Sequence, residues 1–322
     1  MTKEKVLVFE QIHPKGIDYL REQGCEVVFP ESLDDSSLLK AAADVEGMLV
    51  RTRGMVSREL MLAAPRLKVV GRHGVGLETI DVEAATELGI QVVNTPHANA
   101  ESVAEHFLVL ALMLSKRIPQ TTRALLDGDW GARGRHLGRE FYGKTVGIIG
   151  FGRVGQAVAR ICRRAFDSKV LYHSRGRKEE REAELGVAAA GLDELLRESD
   201  FVAVCLPLTR ETEGFIGSEQ LALMKPSSFV VNVSNGRVWR EADVFEALRA
   251  GRIAGAATDV FEREPATPDN PLFGLDNFLA TPHNAAQTEE SLQRMAMVAE
   301  DIVRVIRGRE PLHPVNRPAV RR

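Results

Sequence analysis

The chain has 322 residues, 44% hydrophobic and 27% charged, which excludes a disordered or fibrous protein and exceeds the length one hydrophobic core usually serves. A formal net charge of -3 leaves no global basic field, so nucleic acid and anionic membrane are not expected as partners. Three cysteines, Cys25, Cys162 and Cys205, are odd in number and far apart, which fits reduced thiols in a cytoplasm and no CxxC-type metal site.

The opening segment MTKEKVLVFEQ has only a short apolar run and reads as a first strand, not a signal peptide. Short β-branched runs then alternate with helical patterns: VLVFE, GIDYLREQG, CEVVF, DDSSLLKAAAD, GMLV, SRELMLAAP, LKVVGRHG and IQVVN. This rhythm predicts βαβ units on a parallel sheet. A long apolar helix follows in SVAEHFLVLALMLSKR, with Ser102 or Asn99 as its N-cap. Its apolar core, Phe107 to Leu114, falls well short of the roughly 20 residues that span a bilayer, so it reads as a buried helix. A second βαβ series runs through TVGIIGFGRVG, KVLYHSR, DFVAVCLP, SSFVVNVSNG, RIAGAATDV and NFLATPH. The tail from Glu289 spaces Leu292, Met295, Val298, Ile302, Val305 and Ile306 as a helix stopped at Gly308, expected to pack on the first lobe.

Within the second series, a strand leads into Gly150-Phe151-Gly152-Arg153-Val154-Gly155 and then the helix QAVARICRR, the setting in which this spacing marks a dinucleotide site. Gly150 makes the tight turn, Gly152 admits the pyrophosphate and Gly155 lets helix and strand pack. The next strand ends His173, Ser174, Arg175 with no carboxylate for a ribose 2′-hydroxyl, and Arg177 and Lys178 follow. Ser174 and Arg175 suit a 2′-phosphate, so NADP is expected over NAD.

From about residue 45 to 315 the segments LKVVGRHGVGLETID, NTPHANAESVAEH, VGIIGFGRVG, LPLTRETEGFIG, AGAATDVFEREP and ATPHNAA resemble the D-isomer-specific 2-hydroxyacid dehydrogenases, in particular their 3-phosphoglycerate dehydrogenase-like branch. The resemblance implies an α/β chain in which a Rossmann-like dinucleotide-binding domain, 98–284, is inserted into a flavodoxin-like substrate-binding domain, 1–97 with 285–322. It further implies an NAD(P)-dependent, cytoplasmic oxidoreductase that moves a hydride between the nicotinamide and a small 2-keto or D-2-hydroxy acid in the cleft between the domains. No regulatory extension is expected after the tail helix. A homodimer joined around Ser102 to Ser115 is expected on the same ground.

By that resemblance His283 in TPH is the proton donor and Glu264 in DVFEREP its acidic partner, which holds the imidazole and favours its charged form. Asp259 is matched to a carboxylate near the nicotinamide, and Leu206, Pro207, Val233, Ser234 and Ala285 to further cofactor contacts. The departure is Asn235: in VVNVSNGRV it stands where the family has a catalytic arginine, and a neutral hydrogen bond is about half as strong as a charge-assisted one. Compensation is expected from Arg237, or from Arg51 and Arg53 in VRTRG, which hints at a substrate with a second anionic group. Backbone amides of Gly74, Val75 and Gly76 are expected to hold the substrate carboxylate, and Asn99 to line the cleft. Two other functions stay open: a non-catalytic NAD(P)-binding sensor or corepressor-like protein, and a dehydrogenase of another small oxyanion such as phosphite.

Overall fold

The structure, a computed structural model, describes residues 3–318. It divides into two compact units, Met1–Asn99 with Gln287–Arg322, and Ala100–Ala286, each crossing falling just after the expected break at 97 or 284.

The first unit holds five parallel strands, β1 (Lys5–Val8), β2 (Glu26–Val28), β3 (Gly47–Val50), β4 (Val69–Arg72) and β5 (Gln91–Val93), in the order β2-β1-β3-β4-β5. Successive side chains of a strand face opposite sides, so Leu7, Met48, Val50 and Val70 enter one core and Val6, Val8, Leu49 and Val69 the other. Helices start where the sequence offers a capping oxygen: Asp34, Ser57, Asp81 and Thr288 each accept a first-turn N–H. The tail forms two helices, Glu289–Ala296 and Val298–Ile306, not one, and both cover the second face of this sheet. Gly71 makes room for them: a Cβ there would stand 2.6 Å from Ile302 Cδ1.

The second unit holds seven parallel strands, β6 (Thr145–Ile149), β7 (Lys169–His173), β8 (Ala188–Ala189), β9 (Phe201–Val204), β10 (Phe229–Asn232), β11 (Gly255–Thr258) and β12 (Phe278–Ala280). Their order, β12-β11-β10-β9-β6-β7-β8, reverses direction at the β6/β9 pair, the position at which doubly wound sheets bind ligands. Again alternate residues divide between two cores: Val146, Ile148, Phe201 and Ala203 on one face, Ile149, Val202 and Val204 on the other.

The helix Ala100–Ser115 buries Val103, Phe107, Leu110 and Leu114 against the sheet and the helix Arg153–Phe166, as an all-round apolar helix must. Ser102 is not its cap; it lies inside the first turn, buried, and its hydroxyl donates to the Ala285 carbonyl. Among the described residues no helix is long and apolar enough to cross a membrane, and no cluster of three or more His, Cys, Asp or Glu is arranged for a metal.

Candidate active site

The turn after β6 has the shape of a phosphate cradle. Gly150 adopts φ +98° and its N–H donates to the His173 carbonyl at 2.9 Å; a Cβ there would lie 2.4 Å from the Cys205 carbonyl oxygen. A Cβ on Gly155 would lie 2.2 Å from the Gly150 oxygen, so the helix Arg153–Phe166 seats directly on the turn. At Gly152 a Cβ would meet no atom within 4 Å, and the first-turn N–H groups from Arg153, Val154 and Gly155 have no intrahelical acceptor. These residues fit a dinucleotide pyrophosphate, which needs open space before a helix N-terminus and donors facing it. Leu206 lies beside Gly150 at the end of β9, and the Pro207 carbonyl accepts the Thr212 hydroxyl at 2.6 Å.

At the end of β7, Ser174 donates to the Gly176 carbonyl at 2.7 Å and Arg175 is exposed. Arg177 is committed elsewhere, with its Nε and Nη2 both on the Glu182 carboxylate at 2.9 and 2.8 Å.

His283 and Glu264, 19 residues apart, are brought together: Nδ1 of the imidazole lies 2.7 Å from Glu264 Oε2. Glu264 Oε1 accepts the Phe261 N–H at 3.0 Å, so the carboxylate is fixed from both sides. Burial pushes the Glu264 carboxyl up, but the hydrogen bonds from His283 and Phe261 and the nearby imidazole outweigh it and hold the group below the usual range. It stays ionised at neutral pH. The imidazole is exposed, with Nδ1 on the carboxylate and Nε2 on the opposite side of the ring, the disposition of a proton donor to an incoming molecule.

His283 sits at φ +52°, a left-handed conformation that side-chain-bearing residues adopt only when the surroundings enforce it. Asp259, 1% exposed at the end of β11, does so. Its backbone carbonyl accepts the His283 N–H at 2.8 Å, and its carboxylate accepts Thr281 Oγ1, Asn284 N–H and Ala285 N–H at 2.6, 2.9 and 2.8 Å. His106 Nε2 completes the cluster, 2.8 Å from Thr281 Oγ1 and 3.5 Å from the carboxylate. Both backbone polar groups of Ala285 are therefore used within the protein.

Asn232, fully buried at the end of β10, shapes the next turn: its Oδ1 accepts Ser234 N–H and Oγ at 3.0 and 2.8 Å, and its Nδ2 donates to the Asn235 carbonyl. Val233, between Asn232 and Ser234, is buried. Asn235 spends its Oδ1 on the Arg237 N–H at 3.0 Å. Gly236 presses the turn onto the segment leading to Glu264, where a Cβ would fall 1.9 Å from the Phe261 carbonyl. Arg237 turns away and pairs with Glu213 at 2.6 Å, so its expected compensating role has a competitor in place.

In the first unit, β4 runs into His73 and the Gly74–Gly76 loop. The Gly74 N–H is taken by Thr95 Oγ1 at 3.1 Å, which corrects the expectation of three free amides; among the described residues those of Val75 and Gly76 make no hydrogen bond. Asn94 anchors the loop by donating to the Val75 carbonyl at 3.0 Å. Glu10 accepts the N–H groups of Thr52 and Arg53 at 2.7 and 2.9 Å, and Arg51 donates to Gln287 at 2.7 Å. Asn99 ends this unit, half-buried.

His73, 2% exposed, has both ring nitrogens without a hydrogen bond among the described residues, and burial, with Arg51 and Arg72 nearby, pushes its pKa down to about 4. The folded ring stays neutral while the unfolded one takes a proton below its ordinary 6.5, so stability is complete above pH 6.5 and is lost as pH falls toward 4. By linkage the loss is about 2 kcal/mol at pH 5. Urea unfolding of the native chain and His73→Leu should show the native midpoint falling more between pH 7.5 and 5; parallel decline would contradict this.

A dinucleotide cradle and an imidazole–carboxylate pair carried on one doubly wound sheet define a dehydrogenase-type unit. Residues 108–285 match the family described as D-isomer specific 2-hydroxyacid dehydrogenase, NAD binding domain. Over 98% of its length the chain is 42% identical to a D-3-phosphoglycerate dehydrogenase from Archaeoglobus fulgidus, of which it spans 60%. It is 38% identical over 99% of its length to a glyoxylate reductase from Pyrococcus furiosus, spanning 97% of that protein. A solved NADPH-dependent glyoxylate/hydroxypyruvate reductase from Sinorhizobium meliloti, 31% identical, superposes with a TM-score of 0.88 over 99% of this chain and 100% of that one. The chain belongs to the D-isomer specific 2-hydroxyacid dehydrogenase family.

Proposed function

We propose that the chain interconverts a small 2-keto acid and its D-2-hydroxy acid with a nicotinamide cofactor, NADP(H) favoured over NAD(H). The observation that carries this reading is the 2.7 Å contact between His283 and Glu264, which a passive NAD(P)-binding sensor has no physical need for. The cofactor, when bound, supplies or takes up the hydride. His283 gives a proton to the oxygen that becomes the hydroxyl, and Glu264 orients the ring and stabilises its charged form. Within the first unit, the Val75 and Gly76 N–H groups are donors of the kind that suits a carboxylate, and Arg51 is a cation of the kind that suits a second anionic group. Arg175 and Ser174 support the NADP preference, as does the NADPH dependence of the Sinorhizobium meliloti relative.

The apolar helix Ala100–Ser115 buries one face in its own unit's core and leaves Val109 exposed on another, the face left for a homodimer contact around Ser102 to Ser115.

The test is a panel of glyoxylate, hydroxypyruvate and phosphorylated or sulfonated keto acids with both cofactors, run on the native chain and Asn235→Arg. The native chain should reduce a dianionic member best. Asn235→Arg should raise kcat/KM on plain 2-keto acids about tenfold, one charge-assisted contact, or block the bulkier substrate. A response to oxyanions such as phosphite alone, or identical kinetics in the two proteins, would overturn the reading.

A further inference from the structure

The loop that follows β7 contains more cation than it presents. Arg175, Arg177 and Lys178 lie within four residues of each other just past the strand end where a Rossmann sheet meets the adenosine ribose. Arg177 is held away by a built network. The Glu182 side chain, 12% exposed, takes two nitrogens of the guanidinium, with a third contact at 3.2 Å, and Tyr172 donates its hydroxyl to the same carboxylate at 2.7 Å. The Tyr172 oxygen in turn accepts the Lys178 N–H at 2.8 Å, which pins the loop end. Tyr172 is buried and stacks on Phe151 of the glycine turn, ring centroids 3.9 Å apart and 17° between planes. The segment that reads the ribose is thus tied, through one aromatic pair, to the segment that holds the pyrophosphate.

We infer that Glu182 is a specificity-determining positioning residue: it withholds Arg177 from the cofactor's 2′-phosphate, leaves Arg175 as the cation that reads it, and so limits the preference for NADP over NAD. Two physical points support the assignment. The pair is a bidentate, charge-assisted one with its carboxylate largely buried, so it holds more firmly than a surface ion pair. Arg177 itself remains 64% exposed, so its guanidinium is stopped by carboxylates, Glu182 first and Glu179 at 3.9 Å second, and not by packing. Both partners are displaced from their usual titration, Glu182 down to about 2 and Arg177 upward, each held chiefly by its hydrogen bonds to the other. The inference rests on the dinucleotide reading of this unit, and on a 2′-phosphate being a ligand it can meet.

Glu182→Gln is the test, because the amide keeps an acceptor for the Tyr172 hydroxyl while losing the charge that captures Arg177. Calorimetric titration with 2′,5′-ADP and with 5′-AMP measures the ratio of dissociation constants without turnover. The expected result is a shift of about fivefold toward 2′,5′-ADP in Glu182→Gln, the size of one partly exposed charge contact. In the double variant Glu182→Gln/Arg177→Leu most of that shift should vanish, since its source is the released guanidinium. An unchanged ratio in Glu182→Gln, or a shift that survives loss of Arg177, overturns the inference. A native chain that prefers 5′-AMP but still shows the Arg177-dependent shift overturns only the NADP preference and supports the role of Glu182. Loss of binding to both nucleotides in every protein would instead sink the dinucleotide reading.

Discussion

His283→Ala is expected to lower kcat for 2-keto acid reduction by about 10²- to 10⁴-fold, the range a positioned general acid contributes. Its dissociation constant for the reduced cofactor should stay near that of the native chain, because the cradle of Gly150, Gly152 and the helix Arg153–Phe166 is made from other segments. Stopped turnover with intact cofactor binding separates a missing proton donor from a collapsed fold. Glu264→Gln should fall between the two proteins: the amide still meets His283 Nδ1, but it carries no charge to stabilise an imidazolium. Steady-state rates with fluorescence titration of the cofactor check both variants. Native kcat in His283→Ala would remove the imidazole from the chemistry.

Asp259→Asn is the second large effect, and here stability and rate should fall together. The carboxylate is an acceptor for three donors in a place almost without solvent. An asparagine keeps one acceptor oxygen but turns its amide hydrogens on a backbone N–H that has nowhere else to bond. Leaving such groups unsatisfied costs about 3 kcal/mol, which for a unit of this size lowers Tm by about 6 to 12 °C. The same bonds fix the loop that forces His283 to φ +52°, so the imidazole should drift from its position and kcat drop by about 100-fold, the penalty of misplacement by an ångström or so. Thermal melting by circular dichroism and kcat on the same preparation test this. A variant that melts like the native chain and turns over normally would show that Asp259 does not hold the loop.

Much of this fold is legible in the sequence because its signals are local. Strand and helix alternate with clear periods, and Gly150, Gly152 and Gly155 lie within one turn and the start of a helix, so spacing alone announces them. His283 and Glu264 are legible only through resemblance, since nothing local tells a structural histidine from a working one. What stayed hidden is what depends on partners distant in sequence. The hold of Asp259 on residues 281–285 joins the ends of two strands, and the Thr95 hydroxyl that occupies the Gly74 N–H comes from beyond the next strand. Composition at the β7 end suggests a row of free cations, yet Glu182, from the following helix, removes one. β8 is not legible in the sequence because two alanines carry no β-branched signal. The tail read as one helix because its apolar spacing runs on across Met297, where the backbone breaks.

The pH dependence of kcat/KM for keto acid reduction tests the central claim most directly. Only the imidazolium can donate, so the rate should fall as pH rises, and in Glu264→Gln that fall should move to lower pH, the stabilising carboxylate being gone. A native profile that is flat or rises with pH, or a Glu264→Gln profile with the same midpoint, would contradict a proton donor at His283 governed by Glu264.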